Sequence, residues 1–371
     1  MFTGERFPRI DFTKRFNSSS TTYELIETQK ALEQAVIELT GESVVSLDTE
    51  TNSLDPFTGT LFLVQVASPD KCYIINYTKV KDLTPLKYIL EQEEVLVLGQ
   101  NIGFDYKFMK QHTGIELINV FDTMLAESVL TAGKVNEDND PIRTNLEALS
   151  LKYLNLKMDK SVRKTFQNAK SLGYITPEQL KYAALDALAL FPIYSYQLRR
   201  LIDESVIQVA DLESRCVIPV AEMELAGCLI DTEKWRLILE KTAANKIEVE
   251  NKLLKVLSSG GIGLQDLWGN VQTAIDLNSP TQIKDELSKI GIWVDDTMSK
   301  TLERISHPVA KLLLEYRKCT KIIDSFGENL LAKINKATGR IHPSFRQYGA
   351  ATGRFSCSEP NTQQIDRKAH V

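Results

Sequence analysis

The sequence predicts an α/β or α+β layer fold to about residue 203, joined to a mainly helical region and closed by a segment of different character. Three observations carry this. Apolar, β-branched runs separated by turn signals crowd the first hundred residues. Long amphipathic helical patterns take over after the middle of the chain. Beyond Lys336 that periodicity fades into a stretch rich in Gly, Ser, Thr, Asn, Gln and Arg.

In order, "SVVSLDTET", "GTLFLVQVAS" and "KCYIINY" read as consecutive strands, with "DPFTG" turning between the first two. "TPLKYILEQ" reads as a helix and "VLVLGQN" as a short buried strand. "FDYKFMKQHTG" is a helix stopped by Gly114, and "DTMLAESVLTAG" one closed by Gly133. "KVNEDNDPIRT" is polar and turn-rich, the composition of a mobile loop. "NLEALSLKYLN" is helical, and so is the long run from "TPEQLKYAALDALAL", which opens with a Thr cap, Pro177 and a Glu. "VADLESRCVIPVAEMELAG", "TEKWRLILEKTAANKIEVENKLLKVL" and "HPVAKLLLEYRKCTKIIDSFGENLLAKIN" then form a helical arm. No internal repeat is visible.

At 371 residues the chain is long enough for two or three domains. Hydrophobic residues at 43% and charged residues at 25% are those of a soluble globular protein. The five cysteines (Cys72, Cys216, Cys228, Cys319, Cys357) contain no CxxC pair, which argues against structural zinc and a disulfide framework and fits a reducing cytoplasm. The start, "MFTGERFPRIDF", has no apolar signal core, and no run approaches a membrane span, so neither secretion nor a membrane partner is expected. Net charge is −5, but unevenly spread. From His307 onward there are 11 Lys and Arg against 5 Asp and Glu, leaving 33 against 44 before it. An acidic body with a basic end leaves room for a local polyanion surface.

The acids of the first domain are placed unusually. Asp48 and Glu50, in "SLDTETNSLD", are two apart on a strand and so share a face. Like charges that close repel unless something positive lies between them. "GQNIGFDYKF" puts Asp105 four residues after Asn101, where a strand gives way to a helix. "KYAALDALAL" puts Tyr182 and Asp186 at i and i+4 on a largely apolar helix. Taken singly, each has a bland reading: a solvated strand end, an Asn helix cap, a core tyrosine with a surface acid. Together, four carboxylates from three elements make a hard-oxygen metal site of the kind Mg²⁺ or Mn²⁺ prefers. Two such ions about 3.5–4 Å apart clamp the attacking and leaving oxygens of a phosphoryl displacement. The Tyr182 phenol can orient the attacking water.

"DTE", "QNIGFD" and "YAALD" resemble the three motifs of the 3′→5′ exonucleases that carry four acidic ligands and a tyrosine, the DEDD group. Within that group, "SLDTETNSLD" is similar to the proofreading domain of family A DNA polymerases, the bacterial polymerase I type. The resemblance implies a ribonuclease H-like mixed sheet flanked by helices. It implies metal ligands at Asp48, Glu50, Asp105 and Asp186, two divalent ions, and a water-orienting Tyr182. It also implies a wedge against the 3′-terminal base at Leu54 and a single-strand groove lined by Gln100, Asn101 and Phe104. An aromatic there stacks on any base, which suits a sequence-tolerant nuclease.

Ribonuclease D and helicase-associated exonucleases share these motifs, so the rest of the chain decides between RNA and DNA. "VAEMELAGCLID" resembles the helix that opens the polymerase part of family A enzymes, and "DLNSPTQIKDELSKIGI" the thumb tip. "HPVAKLLLEYRKCTKIIDSF" resembles a thumb helix, and "GRIHPSFRQYGAATGRFSCSEPNTQQI" the first palm motif. Lys311, Arg317, Lys318 and Lys321 recur along the thumb helix, where cations bind duplex phosphates without reading sequence. Arg354, Asn361 and Gln364 (or Gln363) are long donors that can reach the minor groove, where every pair offers similar acceptors. His307 and His342, each before a proline, read as local structure.

The expected organisation is an exonuclease domain over 1–203, a helical thumb and connecting region over 204–337, and the start of a palm over 338–371. The aspartates that hold a family A polymerase's synthetic metals lie beyond that palm motif. The expectation is therefore a 3′→5′ exonuclease acting on single-stranded 3′ ends, with primer–template duplex at the thumb. Polymerisation would need a second polypeptide carrying palm and fingers. A bacterial or phage-like cytoplasmic setting fits. The alternatives are a non-catalytic DNA-holding subunit of a split polymerase and a ribonuclease D-like exoribonuclease. Intact acids weigh against the first, and the palm-like ending against the second.

Overall fold

Eight residues, Val44–Thr51, form β2, with β3 (Leu61–Ala67) antiparallel on one side and β5 (Leu96–Gly99) parallel on the other. The computed structural model describes residues 6–18, 21–132, 134, 142–158, 162, 165–166, 173–258, 264–265, 271–272, 275–350 and 352–365. β1 (Tyr23–Ile26), β4 (Cys72–Asn76) and β6 (Val120–Asp122) complete a six-stranded sheet ordered β1-β4-β3-β2-β5-β6. β4 runs antiparallel to β3 and parallel to β1, and β6 parallel to β5. The sheet is mixed, as expected.

Helices cover both faces. On one, α1 (Gln29–Leu39), α3 (Ile102–Thr113) and α7 (Ile207–Ala226) bring Leu32, Val36, Ile102, Tyr106, Met109, Val217 and Ala221 against Val45, Leu47, Val64 and Val66. On the other, α4 (Thr123–Leu130) and α6 (Pro177–Asp203) bring Ala126, Leu130, Ala183, Ala187, Leu190, Phe191 and Tyr194 against Phe62, Leu63, Ala67, Ile74 and Leu98. Each fully buried Leu or Phe contributes about 1.5–3 kcal/mol of transfer free energy. Small residues at Ala183, Ala184 and Ala187 let α6 approach the sheet closely, which is what carries Asp186 to it. Glu127 on α4, fully buried, ties α4 to α5 (Leu146–Leu154) and α6: it accepts from Lys152 Nζ at 2.5 Å, Tyr153 Oη at 2.7 Å and Gln197 Nε2 at 3.1 Å.

The chain divides into two compact units: residues 1–227 with 342–371, and residues 228–341. In the second, β7 (Cys228–Leu229) pairs with β10 (Arg340–Ile341), and β8 (Leu264–Gln265) with β9 (Val271–Gln272). α8 (Thr232–Ser258), α9 (Pro280–Lys289), α10 (Ser299–Leu302), α11 (Pro308–Phe326) and α12 (Glu328–Leu331) are its helices. Val249, Leu253, Leu257, Ile283, Leu287, Leu302, Val309 and Leu313 make its core. Trp235 Nε1 donates to the Phe326 carbonyl at 2.8 Å, fastening α8 to the end of α11. The first unit regains the chain at β11 (Ser344–Arg346), antiparallel to β12 (Ser356–Ser358).

Several local expectations change. The strands β1 and β6 went unread because four and three residues are too short to show a period. "TPLKYILEQ" is only a 3-10 turn, Thr84–Leu86, running into α2 (Lys87–Leu90). The capping partner of Thr176 is Gln179 at the third helical position, not the Glu before it. α7, read from sequence with the thumb after residue 203, packs Val217 and Ala221 into the sheet core, so the first unit reaches Gly227. Most of "KVNEDNDPIRT", Gly133 and residues 366–371 lie outside the described residues.

Candidate active site

β2 delivers its acids at the end of the strand. Asp48 faces Gln65 and Glu50 faces Leu63 across the β3 ladder, and the register shifts between Glu50 and Thr51. Such an irregularity ends regular pairing and re-aims side chains. Asp48 is half-buried and Glu50 buried. From the other side of the gap, α6 brings Asp186, also buried. One carboxylate oxygen from each of Asp48, Glu50 and Asp186 lies within 4.8 Å of the others. Trans oxygens around a hard cation at about 2.1 Å are about 4.2 Å apart, so this spacing suits one such ion. The surroundings are polar beyond the acids themselves. Ser46 Oγ and both amide atoms of Gln65, fully buried on the same face as Asp48, have no hydrogen-bond partner among the described residues.

Asp105 stands beside that group and not within it. It projects from the first turn of α3, 3% exposed, and Thr49 Oγ1 donates to its Oδ1 at 2.6 Å. Burial first, then the charges of Asp48 and Asp122, push its pKa well above the carboxylate range, and the Thr49 bond works against them. A buried carboxyl held in this state by a neighbouring acid is one that a cation would ionise. Asp122 itself is buried at the end of β6, where burial raises its pKa to about 6 against four backbone N–H bonds.

Tyr182 precedes Asp186 by one turn of α6, and its phenol is near enough to the carboxylates of Asp186, Glu50 and Asp48 to feel their charges. Burial, then the charges of Asp186, Glu50 and Asp48, raise its pKa. It therefore remains a neutral donor. It cannot serve as a phenolate base at neutral pH.

The expected groove residues separate in the structure. Leu54 is 73% exposed on the turn between β2 and β3. That turn is fastened from behind: His112 Nε2 donates to the Pro56 carbonyl at 3.1 Å, and Phe57 packs on His342 with ring centroids 4.3 Å apart. Asn101 is exposed and in the left-handed region, φ 58. Phe104 is half-buried and packs on Phe108, centroids 5.1 Å apart. Gln100 is committed internally: its Nε2 donates to the Thr144 carbonyl at 2.7 Å and its Oε1 accepts from Thr123 Oγ1 at 2.6 Å. Sequence reasoning missed Thr49 and Asp122, whose roles need partners 56 and 20 residues away.

In the second unit, Lys311, Lys318 and Lys321 are exposed on α11. Lys318 lines a groove of about 600 Å³ with Lys241, Thr242, Asn245, Leu314, Glu315, Cys319 and Ile322. Arg317 differs from them: its guanidinium is turned inward to Thr297, bonding the carbonyl and, at 3.0 Å, Oγ1. His307 caps α11, Nδ1 accepting from Val309 N at 3.2 Å, a local role as read. His342 Nδ1 bonds the Glu224 carbonyl at 2.8 Å. Arg354 and Gln364 are exposed and Asn361 half-buried, its Oδ1 without a hydrogen-bond partner among the described residues. Among the described residues no helix is long and apolar enough to cross a membrane.

Residues 23–202 match the family model described as 3′-5′ exonuclease, and residues 264–371 the model described as DNA polymerase family A. DNA polymerase I of Borreliella burgdorferi is 27% identical over 97% of this chain and 39% of its own length. DNA polymerase I of Aquifex aeolicus is 28% identical over 93% of this chain and 58% of its own. The chain thus spans less than two thirds of either relative's length. The POL domain of Pol1 from M. smegmatis, solved in complex with DNA primer-template and dNTP, shares the fold at TM-score 0.64. That likeness covers 92% of this chain and 56% of that one, at 20% identity.

Proposed function

This chain belongs to the family A DNA polymerases and carries their 3′→5′ exonuclease domain, and on that premise we propose that it removes nucleotides from DNA 3′ ends by metal-assisted hydrolysis. The observation that carries the reading is the convergence of Asp48, Glu50 and Asp186 within 4.8 Å, with Tyr182 one helical turn before Asp186 and Asp105 alongside.

All the donors are hard carboxylate oxygens, with no thiolate or imidazole among them, which fits Mg²⁺ or Mn²⁺. Asp48, Glu50 and Asp186 would hold one ion, and Asp105 with Asp48 a second. Bound there, two divalent ions would supply a polarised water and neutralise charge on the phosphate being cleaved. The chain's own residues do the rest. Tyr182, neutral and one helical turn from Asp186, orients the attacking water. Thr49 fixes the Asp105 carboxyl. Leu54, exposed on its fastened turn, packs against the terminal base, and Phe104 and Asn101 face the strand behind it. Gln100 acts as a brace for this wall, because its amide is already spent on Thr123 and Thr144. Exposed Lys311, Lys318 and Lys321 suit duplex phosphate, and Arg354 and Gln364 the minor groove. The substrate is therefore a DNA primer end, and the role proofreading during replication and repair.

The test is digestion of a 5′-labelled single-stranded oligonucleotide with Mg²⁺ or Mn²⁺. Progressive shortening from the 3′ end is expected, abolished by Asp186→Ala or Asp48→Ala with the circular dichroism spectrum unchanged. Equal residual digestion by wild type and the double variant would sink the proposal.

A further inference from the structure

Asp122 ends β6, and its carboxylate is 2% exposed. Backbone N–H groups from two helices occupy both its oxygens. Oδ1 accepts from Met124 N at 2.8 Å and Leu125 N at 3.3 Å, the ordinary N-cap of α4. Oδ1 also accepts from Asn101 N at 3.0 Å, and Oδ2 from Ile102 N at 3.0 Å, at the start of α3. One side chain caps two helices.

The cap residue of α3 meanwhile does not cap. Asn101 occupies the N-cap position, where asparagine ordinarily turns its amide back onto the helix. Here its side chain makes no capping bond, and its backbone is left-handed at φ 58, ψ 44. That region costs most residues about 1–2 kcal/mol, and asparagine tolerates it better than most. The two N–H groups that Asp122 holds are those of Asn101 and the residue after it, so its carboxylate grips the unusual turn from both sides. Two consequences follow for the first turn of α3. Its direction relative to the sheet edge is fixed, and with it Asp105, three residues past Ile102. The Asn101 amide, relieved of capping, is exposed to solvent.

We infer that Asp122 is a positioning residue of the exonuclease site, capping α3 from outside so that Asp105 is aimed at Asp48 and the Asn101 amide is left for the nucleic acid. The functional half of this inference rests on the exonuclease reading. A cap serving α4 alone would be met as well by serine. The bond to Ile102 N, by contrast, uses the second carboxylate oxygen, Oδ2, which serine lacks.

Asp122→Ser separates the two duties, since its hydroxyl, the usual N-cap group, still serves α4 but supplies no second oxygen for Ile102 N and is one atom shorter toward Asn101. Three measurements on it decide the matter: amide hydrogen exchange of the metal-free protein, Mn²⁺ affinity by calorimetry without DNA, and single-turnover cleavage of a 5′-labelled oligonucleotide. Exchange should quicken at residues 101–105 and stay unchanged at 124–126. Mn²⁺ affinity and cleavage rate should each fall about 10- to 100-fold, the usual effect of losing an outer support of a metal site. Asp122→Asn, which keeps Oδ1, should fall between it and wild type, and it takes over the comparison if the serine variant does not fold. Affinity and rate within twofold of wild type, with only a lower melting temperature, would overturn the inference and leave Asp122 a structural cap. If wild type binds Mn²⁺ but does not cleave, the exonuclease reading fails, and exchange and affinity still decide the positioning.

Discussion

Thr49, the residue between the two acids of β2, donates its hydroxyl to Asp105 Oδ1 at 2.6 Å. Period-two alternation turns Thr49 away from the face of Asp48 and Glu50 and toward α3. One strand therefore addresses both parts of the acid set. Thr49→Val keeps the shape and removes the donor, leaving a buried carboxyl short of a partner. A loss of about 1–3 kcal/mol in stability is expected. Exonuclease rate should fall at least tenfold, checked by denaturation and by cleavage at saturating Mn²⁺. An unchanged rate would show that Asp105 needs no help from Thr49.

The place of Tyr182 beside Asp186 makes a sharper claim about protonation. Burial and three nearby acids hold the phenol protonated, so its hydrogen is available throughout the working range. Tyr182→Phe should slow cleavage about 10²–10³-fold, the usual effect of removing one oriented hydrogen-bonding group, with metal affinity preserved. In wild type the cleavage rate between pH 7 and pH 10 should show no inflection from tyrosine ionisation. An inflection in that window that vanishes in the Phe variant would contradict the assignment.

Much of this was legible in the chain. Asp48 and Glu50 declare a shared face by their spacing, and Tyr182 and Asp186 by theirs, because both periods are local. What stayed hidden depends on long-range contact. Asp122 looks like any strand-end acid until α3 is seen to lean on it. Gln100 and Arg317 carry the right chemistry for a nucleic-acid contact, yet their donors are taken by Thr144 and Thr297, partners that no sequence period announces. The boundary near residue 203 was drawn where the helices lengthen, whereas Val217 and Ala221 belong to the sheet's core.

Acid should weaken the first unit through His112. Burial lowers its pKa below the ordinary value of 6.5, with Lys81 adding to the effect and the Pro56 bond opposing it. The folded state therefore prefers the neutral ring. Its stability is present above about pH 6.5 and lost as pH falls below it, since the unfolded chain binds the proton more readily. Asp122 acts in the opposite sense. Its raised pKa, about 6, gives a contribution present at low pH and lost as pH rises through that value. Comparing wild type with His112→Gln cancels the Asp122 part. The stability gap between them, from denaturant unfolding, should narrow or change sign between pH 7.5 and 5.5. A constant gap would rule out His112 as the titrating group.

Neighbouring cations on α11 should fail in different ways. Arg317 ties the helix to Thr297 from a half-buried position, while Lys318 and Lys321 reach solvent. A residue that neutralises a phosphate contributes to the salt slope of binding, about 0.9 per contact on duplex DNA, while one that braces the fold does not. Lys318→Ala and Lys321→Ala should each weaken primer–template binding and flatten the plot of log affinity against log salt by up to about one unit, with melting unchanged. Arg317→Met should lower the melting temperature of the second unit and leave the salt slope intact. The measurement is fluorescence anisotropy of a labelled duplex across a salt series, beside a thermal melt of each variant. A flattened slope in Arg317→Met with an unchanged melt would make Arg317 the phosphate contact, and the lysines ordinary solvated surface.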